Sequence, residues 1–165
     1  MVYIIKDEKI LLALKQRGIG AGMWMGYGGK FDLELDQSIN DTALRELKEE
    51  TAEIICTKKD LEPHALINFT LKTVDKDYLM QGFMYRLSNY SGNIRDTEEM
   101  KNPTWFPLNE IPYENMLVDN QVFLPLILKG EHFTLNITTE DGVVIKSNFT
   151  KKTQQEIQQI FMQKV

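Results

Sequence analysis

The sequence predicts an α+β protein. Short β-branched and aliphatic runs recur in pairs around polar turns. Helical spacing of apolar residues is confined to a few stretches, and strands do not alternate regularly with helices. At 165 residues the chain has the length of one domain, and it can build a core without disulfide or metal staples. With 42% hydrophobic and 26% charged residues it is not a disordered chain. The net charge of −5 excludes a general binder of duplex nucleic acid or of an anionic membrane. The single cysteine, Cys56, leaves no intramolecular disulfide and no multi-cysteine zinc site. His64 and His132 are far apart in the chain and suggest no metal motif. No run approaches the roughly 18 apolar residues of a membrane span. The first residues run straight into Lys6-Asp7-Glu8-Lys9 without the pattern of a signal peptide. A soluble, cytoplasmic monomer is expected.

The elements follow in order. Val2–Lys6 and Ile10–Lys15 flank the polar Lys6–Lys9 and read as a hairpin. Most of the ten glycines then fall between Gly18 and Gly29, a loop that lets backbone approach a ligand closely. Ser38 with Asp41 three residues on resembles a capping box, which starts a helix near Ile39 with Leu44, Leu47, Thr51 and Ile54 turned inward. Pro63–Thr73 and Tyr78–Leu87 form a second hairpin, and Pro103–Leu108 a short strand. Asp119–Lys129 is helical and stops at Gly130. Phe133–Thr138 and Val143–Ser147 flank Asp141-Gly142, the strongest hairpin signal in the chain. A last helix runs from Thr153 to Val165, with Ile157, Ile160, Phe161 and Val165 on one stripe. The expected organisation is a domain over 1–150 and a helical appendage over 151–165.

The chemistry concentrates in Arg45-Glu46-Leu47-Lys48-Glu49-Glu50. On a helix Glu46, Glu49 and Glu50 share one face, where like charges repel by about 0.2–0.5 kcal/mol per pair. A solvated acidic face is the plain alternative. A hard divalent cation reverses the sign, because Mg²⁺ takes carboxylate oxygens together with substrate phosphates. Arg45, four residues before Glu49, can orient a carboxylate through its fork. The preceding Gly26-Tyr27-Gly28-Gly29-Lys30 favours a phosphate-and-metal site. The competing glycine motifs fail: no helix follows Gly18–Gly22 to make a dinucleotide fingerprint, and no P-loop pattern is present.

These residues resemble the Nudix box of the MutT-type pyrophosphohydrolases: a glycine, a glutamate, then Arg-Glu-aliphatic-any-Glu-Glu and a closing glycine. Gly29 opens the box and Arg45–Glu50 matches its core. Gln37 stands where the first glutamate belongs, after a lengthened loop in which Glu34 or Asp36 is the candidate replacement. Ala52 replaces the closing glycine. Lys15–Trp24, Trp105–Tyr113 and Phe123–Leu128 are similar to segments of the oxidised-purine branch, the 7,8-dihydro-8-oxoguanine triphosphatases.

The resemblance implies the Nudix fold, a mixed β-sheet sandwiched between helices. It implies a Mg²⁺-dependent hydrolase, with Mn²⁺ as a substitute, that cleaves modified purine nucleoside triphosphates such as 8-oxo-dGTP to the monophosphate and pyrophosphate and so cleans the nucleotide pool. The catalytic set it implies is Arg45, Glu46, Glu49 and Glu50; the metal set is Gly29, Glu46, Glu49, Glu50 and Glu99. The substrate set is Lys15, Ile19, Met25, Phe69, Leu71, Met80, Leu117, Asp119 and Asn120. Without the resemblance, Glu99 reads equally as a solvated loop acid, Lys15 as a surface lysine, Phe69, Leu71 and Met80 as core, and Asp119 as a helix N-cap. In that branch an asparagine before the glycine loop hydrogen-bonds the purine; Met25 stands there, and it offers only a weak acceptor. Two other readings compete: a Nudix hydrolase of another nucleoside diphosphate derivative, and a nucleotide-binding module with weakened catalysis.

Overall fold

A computed structural model describes residues 1–162. It is α+β, a mixed sheet with three helices, and its Cα packing divides into two compact units. The last three residues of the expected C-terminal helix, Val165 among them, lie outside the described residues.

The first unit takes in residues 1–62 and 85–116. Strands β1 (Val2–Lys6) and β2 (Lys9–Lys15) pair as an antiparallel hairpin. The turn residues Asp7 and Glu8 both have positive φ, 49° and 56°, which L residues adopt at a cost of roughly 1–2 kcal/mol each. The two-residue β3 (Trp24–Met25) pairs with β2 and was not foreseen. β6 (Met100–Pro107) also pairs with β2 and starts before the expected Pro103. β1 pairs in parallel with the end of β5 (Tyr78–Leu87) at Tyr85–Leu87. Val2, Ile4, Ile10, Leu12, Leu47 and Leu87 are fully buried.

Helix α1 (Ile39–Thr51) starts as its sequence dictates: Ser38 is the N-cap, and its Oγ accepts from the Asp41 amide at 3.3 Å. The helix ends at Thr51, so Ile54 is buried from beyond it rather than from its face. Its cap is Ala52, at φ 70° and ψ −44°. That is close to the strained γ-turn conformation that a glycine tolerates far better.

The second unit takes in residues 63–84 and 117–162. Here β4 (Leu61–Lys72) neighbours β5 as the sequence implies. β4 also pairs in parallel with β7 (His132–Glu140), which hairpin signals do not reveal. β7 and β8 (Val143–Lys152) form the expected antiparallel hairpin, with Asp141 and Gly142 at φ 49° and 75° in its turn. Helix α2 (Asn120–Leu128) stops before Gly130 at φ 78°. Helix α3 (Gln154–Met162) buries Ile157 and Phe161, and Phe161 meets Phe83 edge to face at 5.0 Å. No described helix is long and apolar enough to cross a membrane.

Candidate active site

In the first unit the chain brings Lys15, Gly28, Gly29, Arg45, Glu46, Glu50 and Glu99 together. Lys15 closes β2, and Gln16 donates its amide to the Glu99 carbonyl at 2.8 Å, which fixes the residue before β6 beside it. The Lys15 ammonium lies 2.8 Å from Glu50 Oε1 and 2.6 Å from Glu99 Oε1. Arg17, to which sequence reasoning gave no role, donates to Glu99 Oε2 from Nη2 at 2.8 Å and from Nε at 3.1 Å. The Gly28 amide donates to Glu50 Oε2 at 2.6 Å. Glu50 is therefore buried with both carboxylate oxygens in use.

The electrostatics follow from burial. Burial pushes the Glu50 carboxyl above its ordinary value, while the Lys15 hydrogen bond and charge pull it down. Burial opposes the charge on Lys15 too, but Glu50 and Glu99 outweigh it and hold the ammonium above its usual range. Lys15 first and Arg17 second hold the Glu99 carboxyl below its usual value.

The other half of the site hangs on Arg45. Its Nε and Nη2 reach the two oxygens of Asp36 at 3.0 and 2.9 Å, a forked pair. Nη2 also donates to the Lys30 carbonyl at 3.0 Å, and Nη1 donates to Glu46 at 2.8 Å and to Glu49 at 3.3 Å. Asp36 is buried and is further held by the Asp32 amide and the Thr42 hydroxyl. Arg45 above all keeps its carboxyl far below the usual range. Of the two candidate acids of the lengthened loop, Asp36 is the one that meets Arg45, while Glu34 is exposed and its amide donates to Asp32 Oδ1. Only the lengthened loop could have hinted at it.

Glu46 lies against Gly29, where any Cβ would run into its carboxylate. Glu49 stands outward, its side chain 57% exposed. Among the described residues the acids do not converge on one point as a preformed cage. The donor set nevertheless fits a hard divalent cation: three carboxylates issue from one helix, a glycine cradle admits Glu46, and the half-buried Lys15 shows a cation bridging Glu50 and Glu99.

The expected base contacts divide between the units. In the first, Ile19 is 55% exposed, and Met25 is buried with its sulfur against Gly20, where a Cβ would lie 2.9 Å from it. In the second, Phe69 meets Phe123 edge to face at 6.1 Å, Leu71 is half-buried and Met80 is exposed. Leu117 precedes α2, and its carbonyl accepts from the buried Asn120 amide group at 3.1 Å. Asn120 also donates to Asp119 Oδ1 at 3.1 Å. Asp119 occupies the N-cap position but makes no side-chain capping bond. Burial raises its carboxyl above the ordinary value, which Asn120 partly offsets.

A mixed sheet with a glycine loop feeding a helix of clustered glutamates has the donor chemistry of a site for phosphates and a divalent cation. The comparisons then give the family. The model of the NUDIX domain matches residues 1–127, and the chain belongs to the Nudix family of hydrolases, enzymes that generally use a divalent metal ion. It is 32% identical over 133 residues to the oxidized purine nucleoside triphosphate hydrolase of Danio rerio, covering 81% of this chain and 80% of the relative. It is 31% identical over 147 residues to the protein of that name in Mus musculus, covering 89% of each. The crystal structure of a MutT protein from Bacillus halodurans superposes with a TM-score of 0.75 over 92% of this chain and 96% of that one; at 18% identity this likeness speaks for the fold.

Proposed function

We propose that the protein is a Mg²⁺-dependent pyrophosphohydrolase of oxidised purine nucleoside triphosphates such as 8-oxo-dGTP, acting as a cytoplasmic monomer in sanitation of the nucleotide pool. The observation that carries this reading is the Lys15–Glu50–Glu99 cluster, built on the buried Glu50, beside the Gly29–Glu46 cradle. The names of the two animal relatives supply the substrate class.

In this reading Glu46, Glu49, Glu50, Glu99 and the Gly29 carbonyl would hold Mg²⁺, with Mn²⁺ as a substitute, and the ion would supply charge neutralisation on the phosphates and a more acidic water. Arg45, held by Asp36, keeps Glu46 and Glu49 aimed. Lys15 meets the phosphates. Water adds to phosphorus as the phosphoanhydride bond breaks, a carboxylate of the glutamate set takes the water's proton, and pyrophosphate leaves. In the second unit Asp119, steadied by Asn120, would hydrogen-bond the base, and Phe69, Leu71, Met80 and Leu117 would offer it apolar surface; for Ile19 and Met25 of the first unit a base contact rests on the resemblance alone. A site that hydrogen-bonds a polar edge discriminates by about 10⁴-fold, whereas apolar packing gives about 10–200-fold. With Met25 in place of a donor, selectivity for 8-oxo-dGTP over dGTP should lie in the lower range.

The test is a panel of canonical and oxidised nucleotides with Mg²⁺, products identified as monophosphate and pyrophosphate, with kcat/KM compared for 8-oxo-dGTP and dGTP. Glu49→Gln and Glu50→Gln should each lower turnover by about 10²-fold or more at limiting Mg²⁺. Near-normal turnover by both variants, or no cleavage of any nucleoside triphosphate, would overturn the reading.

A further inference from the structure

We infer that the first unit carries a second small-molecule site, at the turn between β1 and β2, that takes a purine nucleoside monophosphate. Lys6, Asp7, Lys9, Tyr90 and Trp105 line a cavity there of about 330 Å³, a volume in the range of small-ligand sites. Lys9 opens β2 and Lys15 ends it, so this cavity lies roughly 20 Å along the strand from the Glu50–Glu99 cluster. The site therefore stands independently of the proposed hydrolysis.

The turn is built against its own stability. Lys6 and Lys9 are the closing register pair of the hairpin, two like charges directly opposite, which is unfavourable unless an anion joins them. Among the described residues no ion pair relieves either lysine. Asp7 and Glu8 hold the left-handed backbone that a two-residue hairpin turn requires, without a glycine, and so set the two lysines side by side. Two rings complete the wall: Trp105, 36% exposed, and the half-buried Tyr90.

Each lining group then has a partner on one ligand. The faces of Trp105 and Tyr90 suit a flat heteroaromatic base, because every base offers a π-face. Two ammonium groups suit a phosphate dianion. The Asp7 carboxylate is acceptor-only and suits the adjacent imino and amino N–H groups of guanine, which adenine does not present. A neighbouring cavity of about 450 Å³, lined by Asp7, Glu8, Lys9, Pro107, Leu108 and Asn109, has neither the rings nor the lysine pair.

The chain has two tryptophans, so Trp24→Phe leaves Trp105 as its sole indole fluorophore. GMP titrated into that variant without added metal should quench the emission saturably, with Kd at or below about 1 mM. AMP should bind about tenfold more weakly, and inorganic phosphate alone should produce little change. Lys6→Gln/Lys9→Gln should weaken GMP by about tenfold or more, and Asp7→Asn should erase the difference between GMP and AMP. The Trp105 indole N–H resonance of the unsubstituted chain gives the same reading should Trp24→Phe fold poorly. No saturable change with GMP, or an undiminished one in the double lysine variant, would overturn the proposal.

Discussion

Asp36 shows how much can rest on one residue. Its forked pair with Arg45 is buried on the acid side, and Arg45 in turn holds Glu46 and Glu49. Asp36→Asn should cost about 3 kcal/mol in urea unfolding at neutral pH, the usual penalty for stranding one partner of a buried pair. The pH dependence has a definite sign. A carboxyl held below its ordinary value stabilises the fold at pH values above its unfolded pKa, and that contribution is lost as pH falls through the folded one. The gap between wild type and variant should thus be constant from about pH 5 to 8 and should narrow below about pH 4. A gap that widens in acid would show that Asp36 is not the stabilising ion. The identity of this residue was only half legible in the sequence: the box core announced Arg45 and the three glutamates, but the lengthened loop holds three acids, Asp32, Glu34 and Asp36, and only its fold says which one Arg45 meets. Gly28 was hidden for a different reason, since it acts through its amide, which side-chain chemistry does not disclose.

At the scale of the element, the ends of the helices carry the informative strain. Ala52 caps α1 with a backbone that favours glycine, so Ala52→Gly should stabilise the protein by about 1 kcal/mol. For a chain of this length that corresponds to a rise in Tm of about 2–4 °C; an unchanged or lower Tm would refute the strain. Helix α3 invites a second measurement. Ile157 and Phe161 are buried, and burial of each is worth about 1.5–3 kcal/mol. Truncation after Lys152 should therefore lower unfolding free energy by several kcal/mol yet spare most turnover at low temperature. A stable truncation without activity would contradict it. Element identity was largely legible: hairpins at Asp7-Glu8 and Asp141-Gly142, the Ser38 cap and the Gly130 stop all rest on local chemistry. The parallel pairings of β1 with β5 and β4 with β7 were not, because parallel register is set by distant segments. Hence His64 and His132, separate in sequence, stack at 4.6 Å across β4 and β7.

For the whole molecule, net charge sets the approach of substrate. A chain of −5 and a nucleoside triphosphate repel at long range, and salt screens that repulsion over about 8 Å at physiological ionic strength. With free Mg²⁺ held constant, kcat/KM should rise as ionic strength goes from about 10 to 150 mM; a steep fall would mean that local cations such as Lys15 dominate the encounter.

Lys15 also has a consequence for handling the protein. An ammonium of the chain's own already bridges Glu50 and Glu99, so on the proposed metal set loading would exchange one cation for another instead of creating the pocket. Proteins whose fold is made by their metal collapse under chelators. Here EDTA should silence turnover while leaving the thermal transition within about a degree of its position, and Mg²⁺ added back should restore activity at once, without any refolding lag. A transition that drops by many degrees in EDTA would show that the ion, and not Lys15, is what keeps the resting site assembled.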